Sequence, residues 1–368
     1  MVSLTEAVIE FSIRPPELTL VEEVHLLFPD DSQEKKKLRH KDTPDLPESE
    51  AVYLSDVSPQ DKTWDKHRAN SEIVQEMYSE LGYDRYPDRI NDCSRLLEFA
   101  LKQDDANQES LFKLQGSKFC RVRFCPVCQW RKSLMWRARF YKAIPAIKLD
   151  YPTFQFLFLT LTVENCEINN LKQTINDMHY AWRKLVARKA FPAKGWVRST
   201  EVTKGKDGLA HPHFHCILIV PNRYFKSKDY LSHDKWVKLW QKSLKADYEP
   251  RVNIKKVKLL KSRKKAIEDR LNRELTDNDI VFYGLMECLK YSVKESDLMS
   301  DPKWLDAITK QLHKTRAIAT GGIFKQYLSE DEPEDLINTE LEQDIEVLET
   351  DAKFLFGWKE KVKRYQSI

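Results

Sequence analysis

The sequence predicts an α+β protein: a central antiparallel β-sheet with flanking helices, a small cysteine-rich metal module and a helical periphery. Three observations carry this. Phe154 to Thr162 is a β-branched and aromatic run of the kind found in central strands. His211-Pro212-His213-Phe214-His215 leads straight into Cys216 to Val220, a buried strand whose alternation sets all three histidines on one face. Cys120, Cys125 and Cys128 fall within nine residues, with the Cys-x-x-Cys spacing of a metal knuckle.

A chain of 368 residues has room for two or three domains, and 41% hydrophobic residues can supply a core. Glu6, Glu10 and Arg14 interrupt the opening apolar residues, so no signal peptide is expected. The longest apolar run, Phe154 to Val163, is too short to span a bilayer. These features predict a cytoplasmic protein with no membrane partner. Seven cysteines, an odd number, then point to thiols and metal ligands rather than disulfides. The net charge of +4 hides an asymmetry. Between Leu111 and Arg270 there are 35 Lys and Arg against 12 Asp and Glu, while the remainder holds 26 against 45. A basic middle of this size predicts a polyanionic partner, nucleic acid.

In chain order, residues 1–85 form an N-terminal region whose stretch Asp30 to Glu50 reads as a mobile charged linker. Residues 86–145 form a zinc-binding module. Cys120, Cys125 and Cys128 supply three thiolates and Cys93 is the candidate fourth; a redox Cys-x-x-Cys pair is the competing reading. Arg121, Arg123, Arg131 and Lys132 interleave with the cysteines and are the candidate DNA contacts. A helix from about Gln129 to Tyr141 follows, in which Trp130 and Trp136 either stack on bases or belong to the core.

Residues 146–300 carry the chemistry. After the strand Phe154 to Thr162, an amphipathic helix is predicted from about Ile168 to Ala190, with Leu171, Ile175, Met178, Trp182 and Leu185 on its apolar stripe. Trp196 to Thr203 is a strand, and Gly205, Asp207 and Gly208 mark a turn before the histidines. A hairpin centred on Asp207 sets Glu201 opposite His213, on the same face. Glu201, His213 and His215 can then close on one divalent cation, with His211 at the strand entrance as a further ligand or a phosphate contact. This mixed N/O set suits Mn²⁺ or Mg²⁺ and also accepts zinc. Lys226 to Arg273 is densely basic, with a strand expected over Val252 to Leu260.

From Ile280 to Leu298 a helix is expected, on which Glu287, Tyr291 and Lys294 share a face. Taken alone this is an exposed salt-bridged stripe; after a metal-binding hairpin it makes Tyr291 a candidate nucleophile. Tyr283, two turns earlier, is a rival. Cys166 and Cys288 read as packing residues. Residues 301–368 form a C-terminal helical region with an acidic tail and a docking segment from Phe354 to Trp358.

From Cys93 to Lys294 the ordered motifs resemble the rolling-circle plasmid replication initiator (Rep) family of the HUH endonuclease superfamily. Phe158-Leu159-Thr160-Leu161-Thr162 resembles its first strand motif and His211 to His215 its metal motif. Glu287 to Lys294 resembles its tyrosine motif, in the form with a glutamate one turn before the tyrosine. The Cys120, Cys125, Cys128 cluster resembles its N-terminal region. The resemblance implies an HUH-type nickase domain in which a cation at Glu201, His213 and His215 polarises the scissile phosphate. Tyr291, assisted by Lys294, then forms a 5′-phosphotyrosine link and frees a 3′-OH. Glu287 would later activate water for termination. It also implies plasmid origin DNA as partner, single-stranded or in a hairpin at the nick. No Walker A sequence is present, so a separate host helicase and polymerase are expected. An HUH transposase or relaxase, and a non-catalytic zinc-dependent DNA-binding regulator, are the alternatives.

Overall fold

The computed structural model describes residues 51–104, 109–257, 261–271, 273–285, 293–328, 336–337 and 352–368. In chain order its principal elements begin with α1 (Lys62–Glu80), α2 (Tyr86–Asn91), β1 (Leu96–Asp104), β2 (Glu109–Ser117) and α3 (Pro126–Asp150). Next come β3 (Phe154–Thr162), α4 (Leu171–Val186), β4 (Gly195–Lys204), β5 (Ala210–Pro221), α5 (His233–Leu244) and β6 (Val252–Lys256). The series closes with α6 (Lys261–Leu271), α7 (Asp277–Leu285), α8 (Glu295–Met299), α9 (Pro302–Gln311), β7 (Ile318–Gly322), β8 (Lys353–Lys359) and β9 (Arg364–Ser367). Helices and antiparallel sheets are mixed along the chain, which makes the fold α+β. The chain divides into two compact units, Met1–Lys132 with Asp335–Ile368, and Ser133–Glu334. This division differs from the four regions drawn from composition.

The first unit is built on an antiparallel sheet of order β2-β1-β8-β9. Its strand β8 holds the docking segment seen in the sequence. Phe354, Phe356 and Trp358 alternate inward between exposed neighbours, so two-residue periodicity makes a strand of a stretch assigned to a helical region. Trp64 of α1 meets Trp130 edge-on at 4.7 Å, and Trp358 donates its indole N–H to Glu72. The Tyr365 hydroxyl donates to the Ser94 carbonyl at 2.6 Å, next to Cys93.

The second unit holds the five-stranded antiparallel sheet β6-β3-β5-β4-β7. Strand alternation divides its side chains. Leu157, Leu159, Leu161, Phe214, Cys216, Leu218 and Val220 face a core completed by Met178, Trp182 and Leu185 of α4 and by Trp236 and Trp240 of α5. Five large apolar side chains buried at about 1.5–3 kcal/mol each supply most of the attachment of these helices. Within this layer the Arg198 guanidinium lies 4.5 Å from the centre of the Phe214 ring, and the His179 ring stacks on Phe214 at 5.5 Å.

The β4–β5 hairpin turns where the sequence places it. Gly208 takes φ +81°, a value that costs a glycine little, and Asp207 Oδ1 accepts the Leu209 N–H at 3.0 Å. The strands therefore register Glu201 against His213. Three expectations shift. The helix after the cysteines runs on to Asp150 through Pro145, and β6 ends at Lys256. The continuous helix expected from Ile280 to Leu298 does not form as such. Val293 makes a parallel bridge to Val202, and Lys294 is extended at φ −67° and ψ 137°. An extended residue cannot continue a helical stripe, so Lys294 does not share one with residues 287 and 291. Among the described residues no helix is long and apolar enough to cross a membrane.

Candidate active site

Glu201 leaves β4, and His213 and His215 leave β5, on the sheet face opposite the α4 and α5 layer. Cross-strand pairing brings the three heads together. Glu201 Oε2 is 3.4 Å from His213 Nε2 and 3.0 Å from His215 Nε2, and the three side chains are 12–13% exposed. Donor atoms about 2.1 Å from one ion lie about 3.0 Å apart at right angles and about 3.4 Å apart at tetrahedral angles. The spacing therefore fits a single divalent cation.

The outer ring nitrogens are held as well. His213 Nδ1 lies 3.2 Å from the His211 carbonyl, and His215 Nδ1 lies 3.2 Å from Thr160 Oγ1. A carbonyl only accepts, so this contact places an N–H at Nδ1, and with a cation in place of the Nε2 proton His213 would offer its Nε2 lone pair. Burial alone would push the Glu201 carboxyl up, but hydrogen bonds and charge from His213 and His215 outweigh it. The carboxyl is held well below the usual carboxylate range and stays ionised. His211 sits beside this group, its ring 5.4 Å from that of His213, and is not one of the three clustered ligands. Burial, with His213 and Arg251 nearby, lowers its basicity.

In the first unit, Cys93, Cys120, Cys125 and Cys128 converge in a buried cluster. Cys93 Sγ is 3.6 Å from Cys128 Sγ and 3.7 Å from Cys125 Sγ, and Cys120 Sγ is 3.6 Å from Cys128 Sγ. Four sulfurs about 2.3 Å from a tetrahedral ion would lie about 3.8 Å apart, so the cluster fits one. Backbone N–H groups point at the sulfurs, from Cys120 to Cys93, from Arg121 to Cys128 and from Val122 to Cys120. Hydrogen bonds among the sulfurs push the Cys93 thiol well above its ordinary value. Those same bonds hold Cys125 well below its own despite burial. A cluster that polarised accommodates four thiolates only around a cation.

The candidate DNA contacts separate. Arg121 is exposed, with φ +56°. Arg123 and Lys132 are half-buried. Arg131 is 1% exposed and donates to the carbonyls of Leu336 at 3.0 Å and Ile337 at 2.6 Å, against the Trp64 ring. It is a core cation whose guanidinium faces backbone carbonyls, not the DNA phosphate that its place in the sequence suggests. Trp130 and Trp136 are also buried, which removes their base-stacking alternative. Tyr283, the rival nucleophile, is 1% exposed within α7. Lys294 is exposed, while Glu287, Tyr291 and Cys288 lie outside the described residues. Cys166 is half-buried and its backbone pairs with Ala210 on both sides.

Two features escaped the sequence. Thr160 joins the site because β3 pairs with β5 in the register Thr160↔His215. The Val202–Val293 bridge, with the Lys204 N–H donating to Asp297 Oδ2 at 3.0 Å, ties the chain after residue 292 to the Glu201 strand.

Comparison with known proteins places these features in context. The model of a replication protein family matches residues 111–366. A Protein rep of Lentilactobacillus hilgardii is 34% identical over 257 residues, covering 67% of this chain and 76% of its own. One from Bacillus amyloliquefaciens is 31% identical over 320 residues, covering 82% and 91%. One from Lactiplantibacillus plantarum is 36% identical over 239 residues, covering 62% and 71%. No solved structure gives a significant match.

Proposed function

Because this chain belongs to the replication protein family, we propose that it initiates plasmid replication by nicking one DNA strand at the origin. The observation that carries the proposal is the Glu201, His213 and His215 cluster on the strand to which Val293 is bridged. Tyr291 is two residues before that anchor, a chain contour of about 7 Å. In this reading Tyr291, the tyrosine of the tyrosine motif, is the nucleophile.

A bound Mn²⁺ or Mg²⁺ would polarise a non-bridging phosphate oxygen and neutralise the charge that builds up in the transition state. Glu201 would contribute its carboxylate, and His213 and His215 their Nε2 atoms, from the β4–β5 hairpin. The Tyr291 oxygen attacks phosphorus, forming a tyrosyl phosphate ester, as the bond to the 3′ oxygen breaks. That oxygen leaves as a 3′-hydroxyl after taking a proton, and it can prime synthesis. A free tyrosine has a pKa of about 10, so positive charge near it favours the phenolate. Lys294, exposed at the start of α8, would supply it. Glu287 would act at termination by taking a proton from water. The four-cysteine cluster would hold a structural Zn²⁺, with Arg121 beside it free to meet phosphate. Without a helicase motif, the protein depends on a separate host helicase and polymerase.

The test is direct. With Mn²⁺ and a labelled single-stranded origin oligonucleotide, the wild type yields a covalent protein–DNA adduct and Tyr291→Phe yields none. A wild type that binds the oligonucleotide but forms no adduct would leave a zinc-dependent DNA-binding regulator instead.

A further inference from the structure

We infer that Thr160 is a positioning residue of the Glu201, His213 and His215 centre, its hydroxyl holding the His215 ring so that Nε2 presents a lone pair to the cation. The inference rests on the metal-centre reading above and concerns what makes His215 a ligand.

A neutral imidazole has one N–H and one lone pair, and the partner of Nδ1 decides which nitrogen is free to ligate. For His213 that partner is backbone, the His211 carbonyl, which no substitution removes. For His215 it is a side chain, Thr160 Oγ1, 3.2 Å from Nδ1. The threonine hydroxyl can accept the Nδ1 proton, which leaves the lone pair on the nitrogen 3.0 Å from Glu201. Phe158, two residues earlier on the same face of β3, stacks on the His215 ring at 5.4 Å and 30°, restricting its tilt. The ring is thus held in its plane by Phe158 and about its axis by Thr160.

Thr162 makes the assignment specific. It faces the same way, yet its hydroxyl donates to the Arg251 carbonyl at 3.0 Å, the same oxygen that takes its N–H at 3.1 Å. The two threonines of Thr160-Leu161-Thr162 therefore do different work: one orients a ligand, the other fastens the chain entering β6. A requirement for β-branched side chains in a strand would treat them alike.

Metal binding reads this out without activity. Full-length protein with its cysteine cluster loaded with zinc is titrated calorimetrically with Mn²⁺, comparing wild type, Glu201→Ala, Thr160→Val and Thr160→Ser. Valine keeps the shape and removes the hydroxyl; serine keeps the hydroxyl. Loss of such a partner weakens metal binding about 10-fold or more, so Thr160→Val binds about 10-fold more weakly and Thr160→Ser recovers most of the affinity. Wild-type affinity in Thr160→Val, or serine as weak as valine, would overturn the inference. If Glu201→Ala loses binding and Thr160→Val does not, only the role of Thr160 falls. If wild type and Glu201→Ala bind alike, the metal centre falls and this inference with it. Should the valine variant misfold, ¹⁵N-histidine NMR of the wild type loaded with diamagnetic Zn²⁺ decides: a retained Nδ1–H with Nε2 metal-bound at His215 supports the inference, and metal bound through Nδ1 overturns it.

Discussion

Acid should loosen the helical layer that backs β5, and His179 sets the size of the effect. Its ring is stacked on Phe214, the residue between His213 and His215, on the opposite face of β5. Burial first, then the charges of Arg198 and Arg183, push its pKa down from 6.5 to about 4. A group whose folded pKa is depressed is protonated first in the unfolded chain. Its contribution is therefore complete above pH 6.5 and disappears as pH falls towards 4. A shift of this size at about 1.4 kcal/mol per unit has a ceiling of about 3 kcal/mol, of which about 2 is lost between pH 7.5 and pH 5. Partial exposure of the ring and solvent screening reduce that to about 1–2 kcal/mol. Amide hydrogen exchange along β5, measured at both pH values and corrected for intrinsic rates, gives the local opening free energy. The wild type should lose about 1–2 kcal/mol more than His179→Gln over the same interval. Equal losses in the two proteins would refute the reasoning and shift the acid sensitivity to carboxylates elsewhere.

Three further outcomes follow from the geometry. Glu201→Ala should weaken Mn²⁺ binding and nicking; unchanged activity across a metal titration would move the third ligand to His211. Cys125→Ser should abolish zinc retention, measured with a chromogenic chelator, and red-shift the fluorescence of Trp64 and Trp130; one equivalent of retained zinc would contradict the four-cysteine site. Arg131→Met leaves the Leu336 and Ile337 carbonyls without their guanidinium donor, so urea denaturation should register a loss of about 2–4 kcal/mol. The salt dependence of DNA binding should stay as it was in this variant, and a slope reduced by about one would return Arg131 to the phosphate interface.

How far the sequence could be read depended on whether the signal was local. The alternation of His211, His213 and His215 and the turn at Gly205, Asp207 and Gly208 are short-range. Together they predict that Glu201 faces His213, the register observed. The cysteine spacing is equally local, and Cys93, which no local pattern fixes, does join the cluster. Long-range partners were not legible. Nothing in the neighbourhood of Thr160 says that its strand pairs with the histidine strand. Nothing near Arg131 says that two backbone carbonyls some two hundred residues on will take its guanidinium. Helical spacing misled at Lys294, because a bridge from Val293 to Val202 extends the backbone where periodicity predicted a turn of helix. Likewise, the strand character of Phe354 to Trp358 depends on β1, a partner far away in sequence.

The central claim is that Tyr291 works on a phosphate held at the Glu201, His213 and His215 face. Mass spectrometry of the covalent adduct tests it most directly. Protein incubated with Mn²⁺ and the origin oligonucleotide is digested with protease and nuclease, and the nucleotide-bearing peptide is sequenced. The account predicts a nucleotide attached through its 5′-phosphate to Tyr291, with the adduct lost in Glu201→Ala. Attachment at Tyr283 or another residue, or an undiminished adduct in Glu201→Ala, would contradict it.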